Sequence, residues 1–518
     1  MLKIKRALVS VSDKTGLEEL VKVLNEFKVE ILSTGGTFKM IESLGIPVKQ
    51  VSDYTGFPEM LDGRVKTLHP KVHAGLLARR DLAEHMKQVE EHNIGLIDMV
   101  VVNLYPFEKV ASKPDAPIEG AIENIDIGGP SMLRSAAKNY KSVAVVCNNA
   151  RYSQIIKELK TNSGCLSEGL LRELAAEVFA RTSSYDSAIA IFFREKVLGI
   201  KRETVDRFTL DYTKKMDLRY GENPHQRAAL YIDKDAEGIS VAGAPQLHGK
   251  EMSFNNFLDL NAAYEIANEF EEPTAVIIKH TNPCGVASAD TLDKAFKDAL
   301  SCDKLSAFGG IIGFNRMLDK KTAVAISKSG FFECIIAPDY GKDALELLKE
   351  KKNIRLMKIS PKKLSKKEVD LKKINGGLLV QDKDEGVLDL KTLKYITKKK
   401  PTKAQLESLI FGWKVAKHVK SNAIVLTKGK KTVGVGAGQM SRVDSTLIAI
   451  RKAGKLAKNS CLASDAFFPK EDAIEVAKKS KISAIIQPGG SIADEEIIKK
   501  ANQFKIAMVF TGIRHFKH

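Results

Sequence analysis

The sequence is poor in cysteine, and none of its six cysteines forms a Cys-x-x-Cys pair. The thiols are scattered along the chain, at positions 147, 165, 284, 302, 334 and 461. Structural zinc sites and disulfide frameworks need cysteines at close, regular spacings, so this pattern argues against both. It favours a reducing compartment, and we expect a cytoplasmic protein.

Long apolar runs are also missing. No stretch approaches the roughly 18 consecutive apolar residues of a membrane-spanning helix. The first ten residues lack the apolar segment of a signal peptide, so we expect neither a membrane span nor a secretory leader. The composition, 44% hydrophobic and 28% charged, is typical of globular proteins. At 518 residues the chain is too long for one core, so we expect two to four domains.

The chain holds a single tryptophan, Trp413, but a formal net charge of +18. Much of the positive charge lies in lysine-rich stretches mixed with acidic and apolar residues, at 349–352, 362–363, 366–367 and 398–400. Such stretches are usually solvated surface. If the positive charge is functional, it serves either to bind nucleic acid or to create a field that attracts small anions. Because no nucleic-acid-binding module is recognisable, we favour small anions and expect no nucleic-acid partner.

The first 200 residues alternate strand and helix patterns. Apolar strands are predicted at 7–11, 29–32, 99–104 and 143–147, and an amphipathic helix at 17–27. Continuous apolar strands alternating with helices predict a parallel sheet covered on both faces. In such domains ligands bind at the carboxyl ends of the strands. Polar residues occupy those ends, at 10–14, 34–37 and 103–106. We place the domain boundary between residues 200 and 201, where a polar stretch begins.

Residues 201–518 contain a weak internal repeat. Each copy holds a strand, a polar loop, a helix and a short turn with phenylalanine. The first copy has them at 275–278, 279–285, 291–300 and 306–310, and the second at 423–426, 433–442, 445–452 and 463–468. The repeat predicts two related α/β subdomains, with an internal boundary at about 375–405.

Residues 63–75 are dense in positive charge. They hold Arg64, Lys66, His69, Lys71 and His73. Gly63 and Pro70 would weaken or break a helix, so we predict a loop. Arginine grips phosphate oxygens bidentately and lysine adds a point charge, which suits an anion site. A solvated basic loop is the alternative.

Two glycine-rich segments are open to a phosphate-binding reading. Thr34-Gly35-Gly36-Thr37 lies between a strand and a helix, where backbone N–H groups can hold phosphate, although a simple tight turn is equally compatible. Gly434-x-Gly436-x-Gly438 is not the dinucleotide fingerprint, and no acidic residue closes a following strand about 20 positions on. A dinucleotide site is therefore disfavoured.

Lys279 and His280 end a predicted buried strand. An unpaired ammonium is costly to bury, and an imidazole can move protons near neutral pH, so the pair indicates chemistry. A core histidine with satisfied hydrogen bonds is the alternative. Pro283-Cys284 begins the zinc-deaminase pattern, but Ala287 replaces its second cysteine and no His-x-Glu occurs. We therefore expect no transition metal.

Residues 126–130 form a second predicted turn into a helix, on which Arg134 and Lys138 share a face. Two cations without a local counter-charge suggest an anionic ligand, although a solvated helix face would look the same.

Taken together, these motifs and their order closely resemble the bifunctional purine-biosynthesis enzymes that combine AICAR formyltransferase with IMP cyclohydrolase. The matching segments are 12–16, 34–37, 63–70, 103–107, 125–129, 219–226, 279–280, 436–442, 464–469, 487–491 and 514–518. The resemblance implies a methylglyoxal-synthase-like parallel-sheet domain at 1–200. It also implies two cytidine-deaminase-like α/β subdomains without zinc at 201–518. Lys470 and Ala493 depart from the family pattern near the implied folate and nucleotide pocket.

The resemblance implies two sets of site residues. For cyclisation it implies catalytic Lys66, Tyr105, Asp126 and Lys138, with substrate held by Ser12, Asp13, Lys14, Thr34, Gly35, Gly36, Thr37, Arg64, Thr67, Asn103 and Ile127. For formyl transfer it implies His280 as proton shuttle and Lys279 as its electrophilic partner, with Arg219, Tyr220, Gly309, Glu333, Asn422, Arg442, Asp465 and Arg514 at the nucleotide.

The implied substrates are AICAR, FAICAR, IMP and the co-substrate 10-formyltetrahydrofolate. The resemblance also implies a homodimer and leaves open whether an alkali cation is bound. Two other functions remain compatible with the charge and the phosphate motifs. A basic nucleic-acid-binding protein would bind with a steep salt dependence and no turnover. A non-catalytic nucleotide-sensing module would keep the phosphate loops without needing Lys279 and His280.

Overall fold

The computed structural model describes residues 1–111, 113, 116–200, 206–233, 236, 240–360 and 369–518. They form two compact units, unit 1 (Met1–Leu210) and unit 2 (Asp211–His518). The boundary predicted between residues 200 and 201 abuts 201–205, which lie outside the described residues, as do the lysine pairs at 362–363 and 366–367.

Unit 1 is built on seven strands among its described residues. They are β1 (Leu2–Lys3), β2 (Arg6–Val11), β3 (Glu30–Ser33), β4 (Val48–Gln50), β5 (Met99–Asn103), β6 (Ala144–Val146) and β7 (Cys165–Leu166). Strands β2 to β6 form a parallel sheet in the order β4-β3-β2-β5-β6, and β1 pairs with β7. The predicted parallel sheet is therefore confirmed.

Helices surround this sheet. They are α1 (Leu17–Glu26), α2 (Gly35–Ser43), α3 (Val51–Thr55), α4 (Pro70–Leu77), α5 (Ala83–Glu91), α6 (Phe107–Ala111), α7 (Ile118–Glu123), α8 (Gly128–Lys138), α9 (Tyr152–Thr161) and α10 (Glu168–Phe192). Helix α1 confirms the predicted amphipathic helix and buries Leu17, Leu20 and Leu24. Across the described residues, no helix is both long and apolar enough to span a membrane.

The prediction of a loop throughout residues 63–75 was wrong beyond Pro70. Helix α4 begins at Pro70, with His69 as its N-cap. A proline at the first helical position loses no hydrogen bond, because that N–H has no partner inside the helix, and its fixed φ suits the helix. Pro70 therefore starts the helix that it was expected to prevent.

Unit 2 holds the remaining strands and helices. The strands are β8 (Thr213–Leu218), β9 (Ala228–Ile232), β10 (Gln246–His248), β11 (Thr274–Lys279), β12 (Asn282–Ser288), β13 (Ile311–Phe314), β14 (Cys334–Ala337), β15 (Arg355–Lys358), β16 (Val369–Ile374), β17 (Gly377–Asp382), β18 (Lys394–Tyr395), β19 (Ile424–Thr427), β20 (Thr432–Gly436), β21 (Cys461–Ser464), β22 (Ala484–Gln487) and β23 (Ala507–Phe510). The helices are α11 (Phe254–Ala267), α12 (Leu292–Leu300), α13 (Lys304–Ala307), α14 (Lys320–Lys328), α15 (Lys342–Lys349), α16 (Lys403–Ala416), α17 (Arg442–Ala453), α18 (Asp472–Lys479) and α19 (Asp494–Gln503).

The predicted repeat is confirmed by two six-stranded sheets with the same topology. Their orders are β10-β15-β14-β13-β11-β12 and β18-β23-β22-β21-β19-β20. In each, the first two strands of the copy pair antiparallel and the last three run parallel. The sheets meet at β12 and β20, where Ser288 N–H donates to the Lys430 carbonyl (2.9 Å) and Val286 N–H donates to Thr432 Oγ1 (2.9 Å).

Much of each predicted polar loop is in fact a strand. Residues 282–285 open β12, and residues 433–436 lie in β20. Their glycines admit a helix close to the sheet. A Cβ on Gly285 would lie 1.9 Å from the Ala299 carbonyl oxygen of α12, and one on Gly436 would lie 1.9 Å from the Ser445 carbonyl oxygen of α17. This packing accounts for Gly436 without a dinucleotide, as does a similar contact for Gly434.

The Gly436→Ala substitution should therefore destabilise unit 2. The added methyl group must push α17 away from β20, and overpacking of this kind costs about 1–3 kcal/mol. The free energy of unfolding in urea, followed by circular dichroism, measures the loss. Gly169→Ala is the matched control, because a Cβ there has no neighbour within 4 Å. Equal stability of the two variants would contradict the packing argument.

Candidate active sites

The carboxyl edge of the unit 1 sheet gathers the predicted polar residues. Asn103, at the end of β5, accepts hydrogen bonds at Oδ1 from the N–H groups of Ser12 (2.6 Å) and Asp13 (2.9 Å). Its Nδ2 donates to the Asp13 carbonyl (2.7 Å). One amide side chain thus fixes the loop after β2 to the neighbouring strand.

The N-terminus of the nine-residue helix α2 opens onto the same edge. Thr37 Oγ1 accepts from Val11 N–H (3.1 Å) and donates to its carbonyl (3.0 Å), and Ser10 Oγ lies 2.8 Å from Thr34 Oγ1. No side chain caps this helix at Thr34, and Lys14 Nζ lies 3.8 Å from where a Cβ of Gly36 would be. Uncapped N–H groups beside an ammonium form a favourable anion site.

The glycines at the start of α8 let two elements approach closely. A Cβ on Gly128 would lie 2.6 Å from Thr67 Oγ1, and one on Gly129 would lie 2.5 Å from Asp126 Oδ2. The segment that carries Lys66 and Thr67 therefore lies directly against the start of α8. This contact brings Lys66 towards the Asp126 carboxylate.

Asp126 is a partly buried carboxylate at this edge with a shifted pKa. Burial raises the pKa of its carboxyl above the usual range, while hydrogen bonds from the N–H groups of Gly129 (2.8 Å) and Tyr105 (3.4 Å) and the charge of Lys66 oppose the rise. The Tyr185 hydroxyl accepts from Asp126 N–H (2.8 Å). Sequence reasoning missed Tyr185, because a buried aromatic in a long helix looks like a core residue.

Three other predicted residues of unit 1 are exposed. Arg64 makes a bidentate ion pair with Glu123, in which Nε lies 3.1 Å from Oε1. Ile127 is 58% exposed, directly before α8. Lys138 is exposed at the last residue of α8, an eleven-residue helix about 16 Å long, so the helix separates it from Asp126.

In unit 2, Lys279 and His280 lie at a two-residue hairpin turn. Lys279 ends β11 and pairs with Asn282, which begins β12. The two turn residues, His280 and Thr281, have positive φ values of 53° and 61°. Residues other than glycine rarely adopt this backbone conformation, which costs about 1–3 kcal/mol per residue. The turn leaves the His280 side chain exposed at its tip.

The Asp259 carboxylate holds this turn in place through two hydrogen bonds. Asp259 of α11 accepts from His280 N–H at Oδ2 (3.2 Å) and from Thr281 N–H at Oδ1 (2.6 Å). Burial raises the pKa of the Asp259 carboxyl, and these two hydrogen bonds oppose the rise. Asp259 is 21 residues from His280, and no local sequence pattern links them.

The neighbouring strand ends complete the first half of the site. Lys279 Nζ donates to the Phe308 carbonyl (2.7 Å), Gly309 N–H donates to the Phe331 carbonyl (2.9 Å), and Glu333 accepts from Asn256 Nδ2 (2.8 Å). Phe308 is 63% exposed and Phe331 42%, with ring centroids 5.9 Å apart. This exposed aromatic pair offers an apolar surface for a planar ligand. It is absent from the predicted site residues.

The second half of the site is a buried polar cluster. Arg442 pairs with Asp465 and also donates to Ser464 Oγ (2.8 Å) and Asn422 Oδ1 (2.6 Å). The side chains of Arg442 and Asp465 are 4% and 0% exposed, so in this conformation they hold the loop that carries Asn422. Asn282 Oδ1 accepts from Lys420 N–H (3.0 Å) and ties this loop to the His280 hairpin.

The remaining predicted residues are Arg219, Tyr220 and Arg514, and both arginines are exposed. The Arg219 guanidinium stacks on the Tyr220 ring at 4.7 Å, and that of Arg514 stacks on Phe516 at 4.4 Å. The N–H of the next residue, His515, donates to the Asp465 carbonyl (2.9 Å), so the cluster anchors the C-terminal segment.

Of the two departures from the family pattern, Lys470 is exposed and Ala493 packs on an apolar cluster. Within the described ranges, no group of three or more His, Cys, Asp or Glu could hold a metal ion.

Comparison with known proteins matches nearly the whole chain. The AICARFT/IMPCHase bienzyme family matches residues 136–452, and the MGS-like domain family matches residues 16–131. The bifunctional purine biosynthesis protein PurH of Bacillus subtilis strain 168 is 53% identical over 515 residues, which are 99% of this chain and 100% of that protein. PurH of Acetivibrio thermocellus is 52% identical over 517 residues, with the same coverage. The crystal structure of ForH is 32% identical and covers 37% of this chain and 99% of its own, with a TM-score of 0.33.

Proposed function

We propose how the residues of this chain, which belongs to the AICARFT/IMPCHase bienzyme family, divide its two reactions between the two units. The enzyme transfers a formyl group from 10-formyltetrahydrofolate to AICAR, which gives FAICAR, and then closes FAICAR to IMP with loss of water. We assign cyclisation to unit 1, whose sheet edge carries an anion site, and formyl transfer to unit 2, which carries the exposed His280.

In unit 1, the 5′-phosphate is proposed to lie at the N-terminus of α2. Lys14, Ser12 and residues 34–37 surround this point, and Asn103 fixes the loop that carries Ser12 and Asp13. The negative charge of a phosphate is stabilised there by backbone N–H groups and by the ammonium. Thr67, Arg64 and Ile127 would flank the ribose and base, with Arg64 released from Glu123 on binding.

Ring closure forms a bond from the carboxamide nitrogen to the formyl carbon. The carboxamide nitrogen and the formamide nitrogen each lose one proton, the bond from the formyl carbon to its oxygen breaks as a C=N bond forms, and the oxygen leaves with both protons as water. Both groups belong to one molecule, so holding them in contact supplies much of the rate. Asp126, whose partly buried carboxyl has a raised pKa, takes the proton from the carboxamide nitrogen, and Lys66 and Tyr105 stabilise the charge that develops on oxygen. Lys138 rests on the family resemblance alone, because α8 places it far from Asp126.

In unit 2, the 5-amino group of AICAR attacks the formyl carbon of the folate. His280 takes the proton of the amine and delivers it to the folate nitrogen as the bond from that nitrogen to the formyl carbon breaks, and Lys279 stabilises the oxyanion and the departing nitrogen. Lys279 donates one hydrogen to Phe308 and retains two others for the substrate. Arg219, Tyr220, Gly309, Glu333, Asn422 and Arg514 are proposed to line the nucleotide, and Arg442 and Asp465 to hold Asn422 in place.

The exposed position of His280 at a hairpin tip carries this assignment. A core histidine, the alternative considered from the sequence, would be buried with both ring nitrogens bonded. A nucleic-acid-binding or nucleotide-sensing protein would have no use for a constrained Lys279–His280 pair.

The six cysteines are all free thiols, which supports the proposed cytoplasmic location.

His280→Ala and Lys66→Ala should give opposite results. His280→Ala should lower the turnover of formyl transfer by at least ~10²-fold, the low end for a positioned acid–base group. It should leave cyclisation of supplied FAICAR near the wild-type rate. Lys66→Ala should abolish cyclisation and retain formyl transfer, so that FAICAR accumulates. Separate assays of the two reactions, with circular dichroism of each variant, provide the measurement.

Two outcomes would contradict these assignments. Formyl transfer within a few-fold of wild type in His280→Ala would remove His280 from the chemistry. Loss of both activities in either folded variant would contradict two separate sites.

We also propose a homodimer, supported by the β16–β17 hairpin. Two strands alone are barely stable in water, and all six residues of β17 are exposed in the single chain. Leu378, Leu379 and Val380 are 42%, 56% and 41% exposed, which makes an apolar surface that a second copy would cover.

Sedimentation velocity should then give twice the 57.0 kDa of one chain. Leu379→Glu should shift the equilibrium towards monomer, because association would bury the new carboxylate. Leu77→Glu, at an exposed leucine of unit 1, is the control and should leave the dimer intact. A wild-type monomer at micromolar concentration would contradict the proposal.

A further inference from the structure

Helix α11 carries two polar side chains that converge on the proposed formyltransferase site. Asn256 and Asp259 are three residues apart, so they project from one face of the helix. Asn256 Nδ2 donates to Glu333 Oε2 (2.8 Å), and Asp259 accepts from the His280–Thr281 turn. Asn256 is 4% exposed and belongs to a capping box with Ser253, which fixes the start of this helix. This face of α11 therefore supports the His280–Thr281 turn.

The turn needs that support, because its residues are unfavourable for its conformation. A two-residue hairpin with positive φ at both central positions prefers Asn-Gly or Gly-Gly. Here the positions hold His280 (φ 53°) and the β-branched Thr281 (φ 61°). A β-branched residue is a genuine outlier in this region. Interactions around the turn must therefore compensate.

The Asp259 carboxylate supplies such an interaction to both residues at once. Each of its oxygens accepts one backbone N–H, at 3.2 Å from His280 and 2.6 Å from Thr281. Hydrogen bonds to an ionised acceptor are among the stronger ones in proteins. Both N–H groups point towards Asp259 only while the turn keeps its left-handed conformation. The carboxylate therefore selects the conformation that presents His280.

We propose that Asp259 is a positioning residue for formyl transfer, which holds His280 in place by fixing the left-handed turn. This inference rests on the proposed role of His280 and adds the device that orients it. Asp259 itself need not touch either substrate. Its loss should let the turn relax and move the imidazole away from the amine of AICAR.

Asp259→Asn tests the proposal. An asparagine keeps the size of the side chain but turns one acceptor oxygen into an N–H donor that opposes a backbone N–H. Turnover of formyl transfer should fall by about 10²-fold, as expected for a displacement of about 1 Å at the reacting group. The KM for AICAR should change less than about threefold, because the proposed nucleotide contacts lie elsewhere, and cyclisation should be unchanged. Asp319→Asn, which retains an equally good helix cap on α14, is the matched control.

A second substitution distinguishes positioning from a purely electrostatic effect on His280. Glycine adopts positive φ freely, so Thr281→Gly should favour the turn without the carboxylate. The double variant Asp259→Asn/Thr281→Gly should recover at least about tenfold of the lost turnover, and Thr281→Gly alone should stay within a few-fold of wild type. Failure of the glycine to rescue, or wild-type turnover in Asp259→Asn, would overturn the proposal. His280→Ala, assayed in parallel, separates the two claims, because its retained activity would contradict the role of His280 itself.

Discussion

The antiparallel meeting of β12 and β20 decides which residues of unit 2 lie side by side. These edge strands belong to the two copies of the repeat, and Val286 and Ser288 hydrogen-bond across the junction to Thr432 and Lys430. The same junction brings Asn282, just after the His280 turn, against Lys420, just before the loop of Asn422. The proposed formyltransferase site thus draws residues from both copies, and neither subdomain holds it alone.

Close packing of helices on these edge strands permits the junction. Gly285 and Gly436 leave no room for a methyl group between strand and helix, so α12 and α17 can each cover one of the strands that meet. Unit 1 uses the same device at a different place, where Gly128 and Gly129 admit Thr67 and the Asp126 carboxylate. In both units, glycines near the proposed sites are explained by the approach of neighbouring groups.

The sequence predicts the parts of the fold whose signals are local. Strands β2, β3, β5 and β6 are continuous apolar runs, and the motifs at their ends meet because parallel strands end at one edge. The sequence did not predict strands β12 and β20, because their proline, glycine and polar residues are typical of loops. Asp259 and Tyr185 were missed because each reaches the site from a helix distant in sequence. The separation of Lys138 from Asp126 follows from the length of α8, which residue types alone do not reveal.

Each unit is proposed to carry a complete site for one reaction, and residues 1–210 expressed alone provide the decisive test. All the proposed cyclisation residues lie within this compact unit. The purified fragment, checked by circular dichroism, should convert supplied FAICAR to IMP at a rate close to that of the full chain and should show no formyl transfer. A folded fragment that fails to cyclise FAICAR would contradict the claim, because unit 1 would then depend on unit 2 for its chemistry.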